Sequence, residues 1–405
     1  MMSDSKIQFD AKIQKALTTR REKGLQRSTQ VFSYFSDNRI SLATSNATAE
    51  STPYINFSSN DYLGLAREPE LISAWQQGLN LYGCGSSASP TVTGLSMAHQ
   101  SLQDKLCEWL GYPRAVLFNS GFSANQALLF TLLDKHDHLI QDKLNHASLM
   151  EAGMLSPASM SRFKHNDMND LSCKLSALSL SQAKLVVSEG VFSMDGDVAP
   201  LNELSHQCQK HQAWLAIDDA HGLGVLGASG AGVTELLGIK PNILIVTFGK
   251  AVGLSGAAIL CDESTGEFLN QFARHYVYST AMPPAQAYAI SYAITMIQQQ
   301  TWRREKLVEL AEILHESLST LSGYRVTNTA IKPLICGSSQ QAIDLSSYLK
   351  QKGMWVGAIR PPTVPANSAR LRITLSSCHS PQQVSRLTQE IIQYYQLNKK
   401  SRGHD

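Results

Sequence analysis

The sequence predicts an α/β fold, with a mostly parallel seven-stranded sheet in a large domain and a smaller α+β domain at the C-terminal end. Short apolar runs at residues 115–118, 138–141, 161–165, 185–188, 214–218, 243–247 and 257–261 alternate with helix-length segments. Segments 125–133, 201–211 and 263–272 carry apolar residues at helical spacing. Alternation of this kind builds a parallel sheet covered on both faces. After Pro283–Pro284 the pattern changes: a long helical stretch runs to about Thr320, then come 324–327, a helix near 341–352, strands around 355–359 and 369–375, and a closing helix over 381–395. The expected division is an N-terminal arm over 1–55, a large domain over 56–285 and a small domain over 286–405.

Composition agrees with this size. A chain of 405 residues makes two or three domains at roughly 100–200 residues each. Its residues are 43% hydrophobic and 17% charged, which supports a large core and excludes wholesale disorder. A formal charge of +2 is too weak a field for nucleic acid or an anionic membrane as main partner. No apolar run approaches the roughly 18 residues of a membrane span. The polar start around Ser3, Asp4 and Ser5 is unlike a signal peptide, and Ile13, Ala16 and Leu17 form one stripe of an amphipathic arm. The 7 cysteines are scattered without a Cys-x-x-Cys pair, as expected of reduced thiols in a cytoplasm.

In an open parallel sheet, ligands sit beyond the carboxyl ends of the strands, so the residues just after each strand carry the chemistry. Lys250 follows an apolar strand in a turn rich in glycine and serine, where desolvation lowers its pKa and makes it a usable amine nucleophile. A solvated loop lysine is the plain alternative. Asp218 and His221 end another strand as Asp-x-x-His. A carboxylate there suits the protonated ring nitrogen of a pyridoxal cofactor, and the histidine suits its phenolic oxygen; otherwise Asp218 merely caps a turn. The stretch Ser120-Gly121-Phe122 follows a strand and opens a helix, a place for phosphate, and the hydroxyls of Ser193 and Thr247 lie near strand ends. Together these residues point to pyridoxal 5'-phosphate.

Other features weigh less. Gly222-Leu223-Gly224-Val225-Leu226-Gly227 matches the dinucleotide fingerprint, but it is followed by Ala228-Ser229-Gly230-Ala231-Gly232, a poor helix opening. His136-Asp137-His138 lacks the further ligands of a metal site. His146, shortly after a strand, stacks on a cofactor ring or simply starts a helix. Arg370 and Arg372 share one face of a strand, where an arginine suits a substrate carboxylate and an exposed sheet face is the plain alternative.

Several stretches, in order, resemble the α-oxoamine synthases: Asn56-Phe57-Ser58-Ser59-Asn60-Asp61-Tyr62-Leu63-Gly64-Leu65, Ser120-Gly121-Phe122, Glu189-Gly190-Val191-Phe192-Ser193-Met194-Asp195-Gly196-Asp197, Asp218-Asp219-Ala220-His221-Gly222 and Thr247-Phe248-Gly249-Lys250. These are fold-type-I pyridoxal-phosphate transferases that condense an amino acid with an acyl thioester and release CO2. The resemblance implies Lys250 as the Schiff-base lysine, Asp218 as the ring-nitrogen partner, His221 on the phenolic oxygen, and His146 stacked on the ring. It implies Gly121, Phe122, Ser193 and Thr247 as further cofactor contacts. Asn60 and Arg372 are implied for the amino-acid carboxylate, and Thr363 and Arg27 for the acyl substrate. Arg360-Pro361-Pro362-Thr363-Val364-Pro365 followed by Ala369-Arg370-Leu371-Arg372 implies L-alanine and a pimeloyl thioester, on coenzyme A or an acyl carrier protein. A homodimer is implied as well, with Tyr278-Ser279-Thr280 serving the neighbour's phosphate. The alternatives are a relative using glycine or serine with another thioester, and a cofactor-binding protein without catalysis. In one departure, Gly85-Ser86-Ser87-Ala88-Ser89 stands where the family usually has Gly-Ser-Gly-Gly-Ser, which removes backbone freedom.

Overall fold

The structure, a computed structural model, describes residues 2–22, 25–26, 29–35, 38–43 and 53–402. The arm forms the helix Met2–Glu22, and Ile13 and Leu17 of its predicted stripe are exposed. Three short strands follow, β1 (Phe32–Tyr34), β2 (Arg39–Leu42) and β3 (Tyr54–Asn56), paired antiparallel.

The central sheet has 7 strands: β4 (Arg114–Phe118), β5 (His138–Asp142), β6 (Ser159–Phe163), β7 (Lys184–Glu189), β8 (Trp214–Asp218), β9 (Ile243–Thr247) and β10 (Ala257–Cys261), in the order β4-β10-β9-β8-β7-β5-β6. Strands β6, β5, β7, β8 and β9 run parallel, while β10 is antiparallel to both neighbours. Residues 248–256 are too few for the dozen or more that a parallel crossover needs, so the chain doubles back. Strand β6 spans Ser159–Phe163 rather than 161–165. The chain leaves the sheet there because His165 is drawn to Asp142 and Asp197, and Asn166 turns with φ 52.

Alternate residues of each strand feed opposite cores. On β9, Leu244 and Val246 join the core shared with the C-terminal elements, and Ile243 and Ile245 pack with the helices Gly121–Leu132 and Ala147–Leu155. With both faces covered, β7 and β10 are buried along their whole length. For that reason β10 reads as a continuous apolar run rather than an alternating one, and β7 carries three apolar residues in succession, Leu185–Val187.

The C-terminal part contributes β11 (Ile331–Gly337), β12 (Met354–Trp355), β13 (Gly357–Ile359) and β14 (Ala369–Thr374). Strands β11, β14 and β13 form an antiparallel sheet, and β12 leaves it to pair in parallel with β3. The segment 324–327 pairs through a single bridge, Tyr324 to Leu334. Strand β11 escapes sequence reading because Pro333 interrupts the run; the fold tolerates it at the sheet edge. The expected strand over 355–359 is split between two sheets. The long helical stretch is two helices, Pro284–Gln299 and Trp302–Leu318.

Candidate active site

The carboxyl ends of the parallel strands converge on a cavity of about 320 Å³. Of the predicted residues, Asn60, Gly121, Phe122, His146, Asp218, His221, Thr247 and Lys250 line it, together with Asn125, Ser148 and Glu189. All but Asn60 come from the residues at or just after a strand of the central sheet, or from the helix that follows, as the sheet topology requires; Asn60 reaches in from the segment after β3.

Asp218 closes β8, buried, with Oδ2 accepting from Asn125 Nδ2 at 2.8 Å and Oδ1 from the Ala220 N–H at 3.1 Å. Asn125 reaches it from the helix Gly121–Leu132 and also donates to Ser148 Oγ at 2.9 Å. Sequence reading misses Asn125, since an asparagine inside a helix carries no signal until the helix is docked.

Lys250 lies in the return between β9 and β10. Burial pulls its amine down to about 8, while Asp218 and Glu189 hold it from falling further. Desolvation is the cause expected from the sequence, but the opposing carboxylates arrive from neighbouring strands. Glu189 closes β7 directly beside Asp218, and its Oε1 is buried without a partner among the described residues. Burial, reinforced by the Asp218 charge, raises its pKa well above the usual carboxylate range.

His146 caps the helix Ala147–Leu155. The backbone N–H of Ser148 donates to its Nδ1 at 3.2 Å, and the Ser148 hydroxyl lies 2.8 Å from the same nitrogen. A backbone N–H only donates, so Nδ1 accepts and the proton of the neutral ring sits on Nε2. Desolvation, opposed by Asp218 and helped by Lys250, lowers its pKa. His221 is buried with Nδ1 2.6 Å from Tyr62 Oη. Burial, with Lys250 and Arg372 nearby, pushes it well below the ordinary histidine value, while burial lifts Tyr62 to about 12 against the pull of Arg372. Both rings are neutral near pH 7. Tyr62 also reaches Asn60 Oδ1 at 3.3 Å. It stands two places after Asn60, and only the fold brings it to His221.

Arg372 completes this chain of contacts. Its Nη1 donates to Asn60 Oδ1 at 3.0 Å and to Thr374 Oγ1 at 3.1 Å, and its Nε donates to the Ser193 carbonyl at 2.6 Å. Strand β14 is buried throughout, so the exposed-face alternative does not hold. Arg370 is engaged by Asp195. Ser193 is outside the cavity lining and meets Arg372 through its backbone. Thr363 is exposed on the segment before β14, its N–H bonded to the Arg360 carbonyl at 3.0 Å. Arg27 lies outside the described residues.

The residues fit pyridoxal phosphate. Thr247 Oγ1 is buried with no partner among the described residues. Gly121 opens its helix so close to Thr247 that a Cβ would sit 2.6 Å from Thr247 Cγ2, so the start of the helix and the orphaned hydroxyl lie on one wall of the cavity, a place that suits a phosphate. The Gly222–Gly227 fingerprint opens no helix until Val233, and an added Cβ at Gly227 would strike the Glu235 carboxylate. Its glycines turn the chain and leave no room for a dinucleotide reading.

A seven-stranded α/β sheet with a half-buried lysine and a buried aspartate at its carboxyl edge defines a pyridoxal-phosphate enzyme of the aminotransferase fold. Residues 52–391 match the family described as aminotransferase class I and II. The 8-amino-7-oxononanoate synthases of Vibrio campbellii and Vibrio parahaemolyticus are each 58% identical to this chain; the matches cover 95% and 94% of it, and 98% and 97% of those proteins. Among solved structures, a serine palmitoyltransferase of S. paucimobilis with a bound pyridoxal-phosphate adduct of myriocin superposes with a TM-score of 0.86 at 28% identity, over 95% of this chain and 96% of that one. An 8-amino-7-oxononanoate synthase from Francisella tularensis does so at 0.75 and 29% identity, over 85% of this chain and 99% of its own. The chain belongs to the class I and II aminotransferase family and, within it, to the 8-amino-7-oxononanoate synthases. Its cofactor is pyridoxal 5'-phosphate. No helix among the described residues is long and apolar enough to cross a membrane.

Proposed function

We propose that the enzyme condenses L-alanine with a pimeloyl thioester, releasing CO2 and the free thiol carrier and yielding 8-amino-7-oxononanoate for biotin biosynthesis. The observation that carries this reading is near full-length identity of 58% to relatives of that name, joined to a site with the acid, amine and carboxylate-binding groups that the reaction needs. When bound, the cofactor supplies an electron sink toward which bonds at the amino acid's Cα break.

The protein's own residues do the rest. Lys250 anchors the cofactor and, as an amine brought near neutrality, takes and returns the proton at Cα. Asp218, held by Asn125, keeps a proton on the ring nitrogen. His221, neutral and fixed by Tyr62, would hydrogen-bond the phenolic oxygen, and His146 would stack on the ring and assist decarboxylation. Gly121, Phe122 and Thr247 hold the cofactor from the cavity wall; Ser193, outside that lining, is assigned to the cofactor by the family resemblance. Arg372 and Asn60 grip the alanine carboxylate, and Thr363 and Arg27 face the acyl chain. The reading includes a homodimer in the cytoplasm, with Tyr278-Ser279-Thr280 reaching the neighbour's site, and the division into 1–55, 56–285 and 286–405.

The deciding assay is thiol release from pimeloyl-coenzyme A with L-alanine, glycine or L-serine. Release that depends on L-alanine and is abolished by Lys250→Ala is expected. Release with glycine or serine alone moves the amino-acid substrate and keeps the chemistry. Normal turnover by Lys250→Ala overturns the role of that lysine. An unchanged rate in Asp218→Asn, which is expected to be slower by orders of magnitude, overturns the role of the aspartate.

A further inference from the structure

A second cavity, of about 370 Å³, opens between the helix Trp302–Leu318 and the segment that enters β11. Its size corresponds to about a dozen water-sized volumes of roughly 30 Å³. Leu226, Leu307, Val308, Ala311 and Val326 give it apolar walls. Lys332, on β11, brings an amine to this lining, although its side chain is 2% exposed. Among the described residues no carboxylate pairs with it; its Nζ donates to the Thr327 carbonyl at 2.6 Å. Arg304, the other buried cation of the lining, is occupied by the carbonyls of Ile297 and Ala228 at 2.6 and 2.8 Å.

A buried ammonium without a counter-ion is costly, and chains settle the cost by pairing it or by shedding the proton. Burial brings this amine down to about 8, so it still carries its charge at pH 7. The buried amine and the apolar wall together suit an anion with an apolar tail, rather than phosphate or a metal ion; Glu312 and His315, both exposed, also line the cavity. We propose that this cavity binds a medium-chain monocarboxylate, with the carboxylate on Lys332 and the chain along the Val308–Ala311 wall, and that occupancy is felt at Arg372. The route is short. Thr329, in the lining, donates from Oγ1 to the Gly196 carbonyl at 2.8 Å. Gly196 closes the turn onto Phe192 at 2.8 Å, and the residue after Phe192, Ser193, holds Arg372 Nε at 2.6 Å. The coupling rests on Arg372 gripping the amino-acid carboxylate; the binding does not.

The test is calorimetric titration of the holoenzyme with octanoate at pH 7, in the parent chain, Lys332→Met and Val308→Asp. Methionine keeps the bulk and removes the charge, while the aspartate, at an exposed position, repels an anion at the mouth without disturbing the core. Binding in the parent chain, weakened about tenfold or more in both variants, is expected, together with an octanoate-dependent change in KM for L-alanine that both variants lose. Absent binding, or equal binding in all three proteins, overturns the site. Variant-sensitive binding with an unchanged KM overturns the coupling.

Discussion

Glu189 and Asp218 stand opposite one another in register, at the ends of adjacent parallel strands. Two carboxylates so placed in a buried site do not both ionise freely. The backbone N–H of His146 and the amine of Lys250 favour the charge on Glu189, but burial outweighs them. Asp218 accepts two hydrogen bonds at its oxygens, and burial pushes Glu189 toward its protonated form.

A neutral Glu189 makes Glu189→Gln nearly silent, because glutamine retains the carbonyl acceptor and adds no charge. The expected change in kcat/KM is within about threefold. Glu189→Leu strands the His146 N–H and is expected to cost about 1–3 kcal/mol of stability. Chemical denaturation and steady-state kinetics of both variants check this, and a large activity loss in Glu189→Gln means that the carboxylate works ionised.

Arg372 holds its place through Nε and Nη1, a planar arrangement that an ammonium does not reproduce. Arg372→Lys is expected to raise KM for the amino acid by about 10- to 100-fold, the loss of one charge-assisted contact, with a smaller effect on kcat. A KM within twofold of the parent places the substrate carboxylate elsewhere.

His165 bridges Asp142 Oδ1 at 3.0 Å and Asp197 Oδ2 at 2.8 Å. Burial alone lowers its pKa, but the hydrogen bonds and charges of both aspartates win and raise it to about 10. A histidine whose folded pKa exceeds its unfolded value of 6.5 gives stability that is complete below the lower value and fades as pH rises through the upper one. Urea midpoints of the parent and of His165→Gln are therefore expected to differ most at pH 6, to differ progressively less above 6.5, and to converge above about pH 10. A gap that widens with pH contradicts the assignment.

Ser87 holds φ 60 in the loop where the family usually carries glycine. A left-handed residue with a Cβ costs roughly 1–2 kcal/mol, and glycine returns part of that as chain entropy in the unfolded state. Ser87→Gly is expected to stabilise the fold by about 0.5–1 kcal/mol, read from thermal and urea unfolding. Destabilisation means that the serine side chain is held by a contact worth more than the strain.

Much of the site is legible in the sequence because its chemistry sits at strand ends, and strand ends can be read from apolar runs. Lys250, Asp218 and His221 are found that way, and Gly121 and Thr247 follow from the same rule. Asn125, Tyr62 and Glu189 escape it, since each matters only through a neighbour that folding supplies. Arg372 is visible on a strand, but whether it or Arg370 is available depends on Asp195 taking the other.

The alternation of strands and helices, the parallel bias of the sheet and the place of Lys250 and Asp218 at strand ends were determined by the sequence alone, because local periodicity and residue chemistry act over a few positions. Tertiary structure decided the rest. It turned β10 against its neighbours, gave β12 to the sheet of β3, and set Glu189 beside Asp218. It also buried Lys332 without a counter-ion among the described residues. These outcomes depend on which distant surfaces exclude water together, and burial of that kind moves a pKa or fixes a pairing with no trace in the local pattern.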